Sequence, residues 1–407
     1  MKCHHCQTKL QHVFLDLGFA PPSNSYLSDT QLRQTEKNYP LKLYVCDQCW
    51  LVQTADNESG AALFQDDYAY YSSVSSTLLN HAKKYCEMIT DRLSLTKDSY
   101  VIEVASNDGY LLRNFVESGV PCLGVEPTAG TAAMAGGLGI PQLGEFFGEE
   151  LGRRLAAEGK QADLMIGNNV YAHVPDINDF TRGFKQALKP EGSVTLEFPH
   201  LLSTMTYNQF DTVYHEHYSY LSLNTVSKIF EAAGLRVYDV EEISTHGGSL
   251  RLYGCHAESS ILTADNVAVI LRKEADAGLT NTTAYLAYQA QVEKVKDDMV
   301  AFLIEQKRAG KKVAGYGAAA KASTLLNFAG VRPDLIAFIS DAAPSKQNKF
   351  LPGCRVPVLP PATLYDFKPD WVVIFAWNIA TEIMESQRHV KEWGGRFIVF
   401  VPELKEL

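Results

Sequence analysis

The stretch Tyr214-His-Glu-His-Tyr-Ser-Tyr-Leu221 gathers histidines, a carboxylate and tyrosines into one short segment. Imidazoles exchange protons near neutral pH, and phenols and carboxylates hydrogen-bond beside them, so these residue types can carry general acid–base chemistry. The pattern is not His-Glu-x-x-His, which places two zinc-binding histidines one helical turn apart. His215 and His217 are two positions apart. On an extended segment they would share a face, with Glu216 pointing the other way.

A second constellation lies near the N-terminus. Cys3-His-His-Cys6 and Cys46-Asp-Gln-Cys49 are two Cys-x-x-Cys knuckles. Four thiolates in two such pairs suit tetrahedral zinc, and a closed four-cysteine site leaves no position for substrate, so the expected role is structural. His4 and His5 are the competing ligands. Of the other cysteines, Cys86, Cys122 and Cys255 sit among apolar neighbours and read as buried thiols, and disulfides are not expected in a reducing compartment.

Positioning these groups requires a scaffold, and the chain is long enough for two or three domains with real cores. Residues 1 to about 75 read as irregular. From about 99 to 260, apolar runs alternate with helical stretches. SYVIEVAS (99–106), PCLGVEP (121–127), ADLMIGNNV (162–170) and GSVTLEFPH (192–200) are continuous apolar runs, as parallel strands buried on both faces should be. LRVYDVEEIS (235–244) and SLRLYGC (249–255), joined by THGG, predict an antiparallel hairpin. TTAYLAYQAQVEKVKDDMVAFLIEQKRAG predicts one long helix stopped by Gly310. A second alternating block follows at 311–317, 335–341, 370–377 and 397–402.

In the first block, Glu103-x-Ala105-x-Asn107-x-Gly109 follows a strand and opens a helix. It is a degenerate form of the acid-x-Gly-x-Gly-x-Gly loop that binds S-adenosylmethionine, with Asp108 inside it and Gly109 expected to allow close backbone approach. Glu126 ends the second strand, where an acid can accept hydrogen bonds from ribose hydroxyls. Asn168 and Asn169 lie at the carboxyl edge of the sheet. The terminal hairpin separates this pattern from an NAD-binding fold. In the second block, Gly315-Tyr-Gly-Ala-Ala-Ala320 nearly fits Gly-x-Gly-x-x-Ala, and Asp341 ends the next strand. Read alone, that is a dinucleotide site, and an NAD(P)-dependent nucleotide-sugar oxidoreductase or epimerase is the alternative reading.

The net charge of −10 argues against nucleic acid as the main partner. The polar start MKCHHCQTKL has no apolar signal core, and no run is long enough to span a bilayer, so a soluble, cytoplasmic protein is expected.

Taken in order, the paired knuckles, YAYYSSVS (68–75), VIEVASNDGYLL, GVEPT, NNVYAHVPD (168–176), TVYHEHYSYLS (212–222), HGGSLR (246–251), GYGAAAK (315–321) and KFLPG (349–353) resemble the sugar C-methyltransferases that act on nucleotide-linked 4-keto-deoxy sugars. The resemblance spans nearly the whole chain. It implies an α/β protein with a class I S-adenosylmethionine-dependent methyltransferase Rossmann-like domain (76–260), an N-terminal zinc-binding lobe (1–75) and a C-terminal Rossmann-like domain (261–407) that holds the substrate's nucleotide. The acceptor would be a nucleotide-activated sugar, in the dTDP form, methylated at C3 beside the keto group, by a monomer or dimer. His217 matches the family's base, with His173 as the alternative base. Tyr214 would donate to the keto oxygen or relay the proton, and Glu216 would orient a histidine or bind the sugar. Tyr68 would line the same site, with Tyr70 and Tyr71 as competitors. Gly315 and Gly317 would hold the pyrophosphate at a helix N-terminus, with positive charge from Lys321 and from Lys346 or Lys349.

Overall fold

The computed structural model describes residues 1–55, 71–74 and 76–407. The chain opens with three antiparallel strands, β1 (His12–Ala20), β2 (Tyr39–Val45) and β3 (Val52–Thr54). The N-terminal part is therefore not irregular. In β2, Leu41, Leu43 and Val45 are buried at alternate positions, the two-residue period of a half-buried strand. Two register shifts in the β1–β2 pairing break the same alternation in β1.

The middle unit begins with helix Ser76–Leu93. Its parallel strands are β4 (Val101–Val104), β5 (Cys122–Val125), β6 (Gln142–Leu143), β7 (Ala162–Asn168) and β8 (Leu188–Pro199). After β8 the chain leaves the sheet, and its short strand β9 (Ser219–Tyr220) pairs with β3. The predicted hairpin forms as β10 (Leu235–Ile243) and β11 (Ser249–His256). The sheet order is β10-β11-β8-β7-β4-β5-β6, with β11 antiparallel to β8. The predicted strands are present, most of them shorter than their apolar runs, because the ends of the runs turn into the ligand-facing loops.

Helix Thr282–Arg308 buries Tyr285, Tyr288, Val292, Val295, Met299 and Leu303 along one stripe. Its first turn is capped by the Asn281 side chain, which accepts from the Thr283 N–H at 2.9 Å, and Gly310 follows its end at φ +70°. Tyr288 stacks on Phe14 of β1 at 5.1 Å, so this helix packs directly against the first sheet.

The last unit has strands β12 (Val313–Tyr316), β13 (Ile339–Ser340), β14 (Lys349–Phe350), β15 (Pro357–Leu359), β16 (Trp371–Ile374), β17 (Arg396–Val399) and β18 (Lys405–Glu406). Their order is β14-β15-β13-β12-β16-β17-β18, parallel in the centre and antiparallel at both edges. The N-terminal sheet bridges two cores. Phe14, Leu41 and Leu43 join the core of the last unit, while Cys3, Cys46, Cys49 and Leu51 join that of the middle unit. Among the described residues, no helix is long and apolar enough to cross a membrane.

Candidate active site

The four predicted cysteines come together. The sulfurs of Cys3, Cys6, Cys46 and Cys49 all lie within 4.8 Å of one another. The Cys3–Cys49 and Cys6–Cys46 sulfur separations are 3.4 Å, close to the roughly 3.8 Å edge of a zinc–thiolate tetrahedron with ~2.3 Å bonds. Four sulfurs, with no fifth donor among the described residues, fit a closed structural zinc. His4 and His5 stay outside the cluster. The His5 ring instead hydrogen-bonds the Asn178 side chain at 2.7 Å.

The loop after β4 turns through the left-handed region with a single glycine. Ala105, Asn107 and Gly109 all have left-handed φ, at 56°, 51° and 80°. For alanine that conformation costs roughly 1–2 kcal/mol, whereas asparagine tolerates it. Gly109 is required for packing as well, since a Cβ there would stand 2.5 Å from Ile140 Cδ1. Its missing side chain thus admits the neighbouring helix Ala129–Gly137 and the chain after it. Glu126 accepts from the backbone N–H groups of Asn107 and Thr128, both at 2.9 Å, and so clamps the loop to the end of β5. Its remaining lone pairs are the ones available to a ribose.

Buried acceptor atoms converge around this loop. Glu103 Oε2, Asp108 Oδ1, Asn168 Oδ1 and Asn169 Oδ1 have no hydrogen-bond partner among the described residues. Buried polar atoms are seldom left unpaired, and a cluster of orphaned acceptors calls for a ligand rich in donors and positive charge. S-adenosylmethionine, with its ammonium, ribose hydroxyls and sulfonium, fits that set. Burial pushes the Glu103 carboxyl well above its usual range, and the charges of Glu126 and Asp108 add to the effect. A cationic ligand would relieve that repulsion.

The Tyr-His-Glu-His segment is a turn and not an extended strand. The His217 N–H donates to the Tyr214 carbonyl at 3.0 Å, which separates the two histidines. His215 goes to the ring of Tyr39, 6.0 Å away edge to face. His217 goes to His173, ring to ring at 4.5 Å, and to Tyr214. His217 Nδ1 donates to the Thr212 carbonyl at 2.9 Å. That fixes the tautomer and leaves Nε2 as an acceptor, which the Tyr214 hydroxyl meets at 2.8 Å. Burial, reinforced by His173, holds the His217 pKa well below the ordinary histidine value, so the ring is neutral at pH 7. His173, likewise buried, is pushed down to about 4 and donates from Nδ1 to the Glu216 carbonyl at 2.9 Å. The histidine is thus oriented by Glu216's backbone. Its carboxylate accepts from Asn24 at 3.2 Å, and Glu216 Oε2 is another orphan. Tyr68 and Tyr70 lie outside the described residues. Tyr71 faces Gly130, on the donor side.

The excursion that carries this turn is closed at its base. The Leu201 N–H donates to the Leu221 carbonyl at 2.9 Å. The fully buried Glu274 accepts from His200 Nε2 at 2.8 Å and from the N–H groups of Leu223 and Asn224. From outside, β3 pairs with β9, the Thr54 N–H donates to the Tyr218 carbonyl, and the Tyr218 N–H donates to the Ala172 carbonyl beside His173.

In the last unit, Gly315 is a packing residue, with Phe375 and Ile339 filling the space its side chain would take. Gly317 sits at φ +90° at the strand end. Lys321 Nζ stands 3.9 Å from the centre of the Trp377 ring and donates to Asn378 at 2.9 Å. Trp377 Nε1 donates to Asp211 Oδ2 at 2.7 Å, and burial pushes the Asp211 carboxyl up to about 6. Lys321 thus turns toward the middle unit, close enough to act electrostatically on His217. Lys346 lies 3.6 Å from Asp341 and near Tyr26, whose hydroxyl donates to the Ala318 carbonyl.

Sequence reading passed over a buried network at the edge of the same sheet. Glu197 accepts from His81 and Arg251, all at 2.7 Å. Burial opposes its ionisation, but His81 and the guanidinium outweigh burial and hold the carboxyl below its usual range. The partners come from a distant helix and a neighbouring strand, so no local spacing signals them.

A sheet of this order with an antiparallel hairpin at one edge, an acceptor-lined loop after its first strand and a cysteine cluster alongside defines a methyltransferase with an accessory zinc lobe. Three family models match in sequence: "Putative zinc binding domain" over residues 3–64, "Methyltransferase domain" over 78–240, and "C-methyltransferase C-terminal domain" over 244–402. The C-methyltransferase NovU of Streptomyces niveus is 34% identical over 389 residues, covering 96% of this chain and 92% of that protein. An uncharacterized methyltransferase of Mycobacterium leprae is 30% identical over 98 residues, 24% of this chain and 36% of that one. The 1,6-didemethyltoxoflavin-N1-methyltransferase of Burkholderia thailandensis is 15% identical, covers 51% of this chain and 96% of that structure, and has a TM-score of 0.37, too low to carry weight. The chain belongs to the family of S-adenosylmethionine-dependent C-methyltransferases. The oxidoreductase reading of the last unit is not favoured.

Proposed function

We propose that this enzyme methylates a ring carbon next to the keto group of a nucleotide-linked 4-keto-deoxy sugar, with C3 of a dTDP-sugar as the specific assignment. A carbon acid becomes nucleophilic only after it loses a proton, so carbon methylation requires a base and a donor for the enolate oxygen that forms. The observation that carries the reading is the His217–Tyr214 pair. His217 is held as one neutral tautomer, with its basic nitrogen against a phenol and in a site buried among further histidines.

In this reading His217 Nε2 takes the proton from the ring carbon, and the C–H electron pair moves to place charge on the keto oxygen. Tyr214 turns its hydroxyl from Nε2 to that oxygen when the acceptor arrives. Glu216 Oε2, buried without a partner among the described residues, takes a sugar hydroxyl. When bound, S-adenosylmethionine supplies an electrophilic methyl. Glu103, Asp108, Glu126, Asn168 and Asn169 would hold it. Lys321, Lys346 and the backbone at Gly317 would hold the nucleotide's phosphates.

Incubation with a dTDP-4-keto-deoxy sugar and S-adenosylmethionine should give a product one methylene heavier, with the new carbon bonded to ring carbon by NMR. Methyl found on oxygen or nitrogen refutes the reading. His217→Asn should lower kcat by about 10²–10⁴. Because the His217 pKa is depressed, the acid limb of the wild-type rate should fall below the ordinary histidine range near 6.5.

A further inference from the structure

We propose that His246 is an acceptor-contacting residue, whose imidazole hydrogen-bonds an oxygen of the molecule to be methylated. The proposal deepens the reading above and rests on it.

His246 lies in the tight link between β10 and β11, within the HGGSLR segment. Its backbone is left-handed at φ 55°, ψ 18°, a conformation that costs a side-chain-bearing residue roughly 1–2 kcal/mol. Two glycines follow it, at φ +90° and +121°. Neither could carry a side chain. A Cβ at Gly247 would stand 2.3 Å from Trp377 Cη2, and one at Gly248 would stand 2.6 Å from Ser203 Oγ. The link is also tied from several directions. Gln209 Nε2 donates to the Gly247 carbonyl at 2.7 Å, the His200 N–H to the Gly248 carbonyl at 3.1 Å, and Ser249 Oγ to the Thr245 carbonyl at 2.9 Å. A backbone so constrained gives the imidazole one defined place.

That place is the reaction cleft. The ring is close enough to feel Lys321, Glu197, His81 and His173 electrostatically, and His217 feels it in turn. These groups come from both Rossmann-like units, and Gly247 lies directly on Trp377 of the last one. Yet among the described residues neither ring nitrogen of His246 has a hydrogen-bond partner, and neither is sealed from solvent. Burial pushes its pKa down to about 4, so it is neutral at pH 7, with one N–H to donate and one lone pair to accept. A strained residue with a neutral, unpaired ring, close enough to the base and to Lys321 to interact with both, suits a carbonyl or hydroxyl oxygen of the acceptor. The donor-binding acceptors lie elsewhere, at the ends of β4, β5 and β7.

His246→Gly tests this without threatening the fold, because glycine adopts left-handed φ freely. The expected result has three parts: a melting temperature no lower than wild type, S-adenosylhomocysteine affinity unchanged by calorimetry, and kcat/KM for the keto-sugar nucleotide reduced by about tenfold or more. His246→Asn, which tolerates this φ and keeps an amide donor, should recover part of the loss. A His246→Gly enzyme with wild-type kcat/KM overturns the proposal while leaving the methylation reading intact. So does a loss of S-adenosylhomocysteine binding equal to the loss of kcat/KM. Wild-type enzyme that transfers no methyl to such sugars overturns the reading and this assignment together.

Discussion

The two loops that follow the leading strands of the two Rossmann-like sheets, 105–109 after β4 and 317–320 after β12, invite a direct comparison. Both leave a central parallel strand at its carboxyl end and turn through positive φ. Their surroundings differ in charge: carboxylates line the first, whereas beside the second Lys346 is paired with Asp341 and Lys321 stands against Trp377. The first is lined by Glu103, Asp108 and Glu126, and burial, reinforced by the charges of the other two, makes Glu103 resist ionisation. The second has Lys321 and Lys346 nearby. In the proposed function the two loops serve ligands of opposite charge, and the side chains around each would make the choice. The loops also reach their shape differently. The second uses a glycine, whereas the first holds an alanine and an asparagine in the left-handed region and uses the Glu126 carboxylate as the clamp.

The comparison breaks most easily at that clamp. Glu126→Ala removes two charge-assisted hydrogen bonds, each worth about 1.5 kcal/mol or more. The affinity for S-adenosylhomocysteine should fall by about 100-fold or more, while that for a nucleoside diphosphate should not change. Parallel losses would mean that the two sites are not independent. A smaller effect, about tenfold, is expected on nucleotide affinity from Lys321→Met, with donor binding untouched. Burial lowers the Lys321 pKa, and its protonated form is the one that attracts phosphate. Wild-type nucleotide affinity should therefore decline with rising pH earlier than an exposed lysine, near 10.4, would allow, and that decline should vanish in the methionine variant. The smallest effects concern backbone conformation. Gly317→Ala should destabilise by about 1–2 kcal/mol and Ala105→Gly should stabilise by less than about 1 kcal/mol, both read from thermal melts. If Ala105→Gly lowers the melting temperature, the left-handed strain assigned to that loop is wrong.

What could be read from the sequence was what is local. The cysteine knuckles, the βα alternation, the hairpin and the long helix each announce themselves within a few dozen residues. The N-terminal sheet did not, because bulges blur the alternation of β1 and its fourth strand arrives from residue 219. The histidines of the Tyr-His-Glu-His segment were recognisable as chemistry, but their separation was not. Hydrogen bonding within the segment itself makes a turn where an extended reading had placed them on one face. Glu103 and Glu126 were singled out by their position at strand ends, and the structure sets both beside the loop after β4. The His81–Glu197–Arg251 network and the His200–Glu274 clamp were invisible, since each joins residues whose distance in sequence leaves no periodic trace. At Gly109 and Gly315 the structure adds a packing reason for glycine that the sequence did not show, since neighbouring side chains fill the space a Cβ would take.

The pairing of β3 with β9 bears on how far this enzyme can be divided. A protein engineer who lifted the methyl-donor domain onto another scaffold would carry off the reactive turn with its outer edge bare, since the backbone that props it there is made by residues 52–54. Modularity in this chain therefore ends where its sheets do not coincide with its sequence blocks. Swapping acceptor preferences between relatives should transplant the zinc lobe along with the turn.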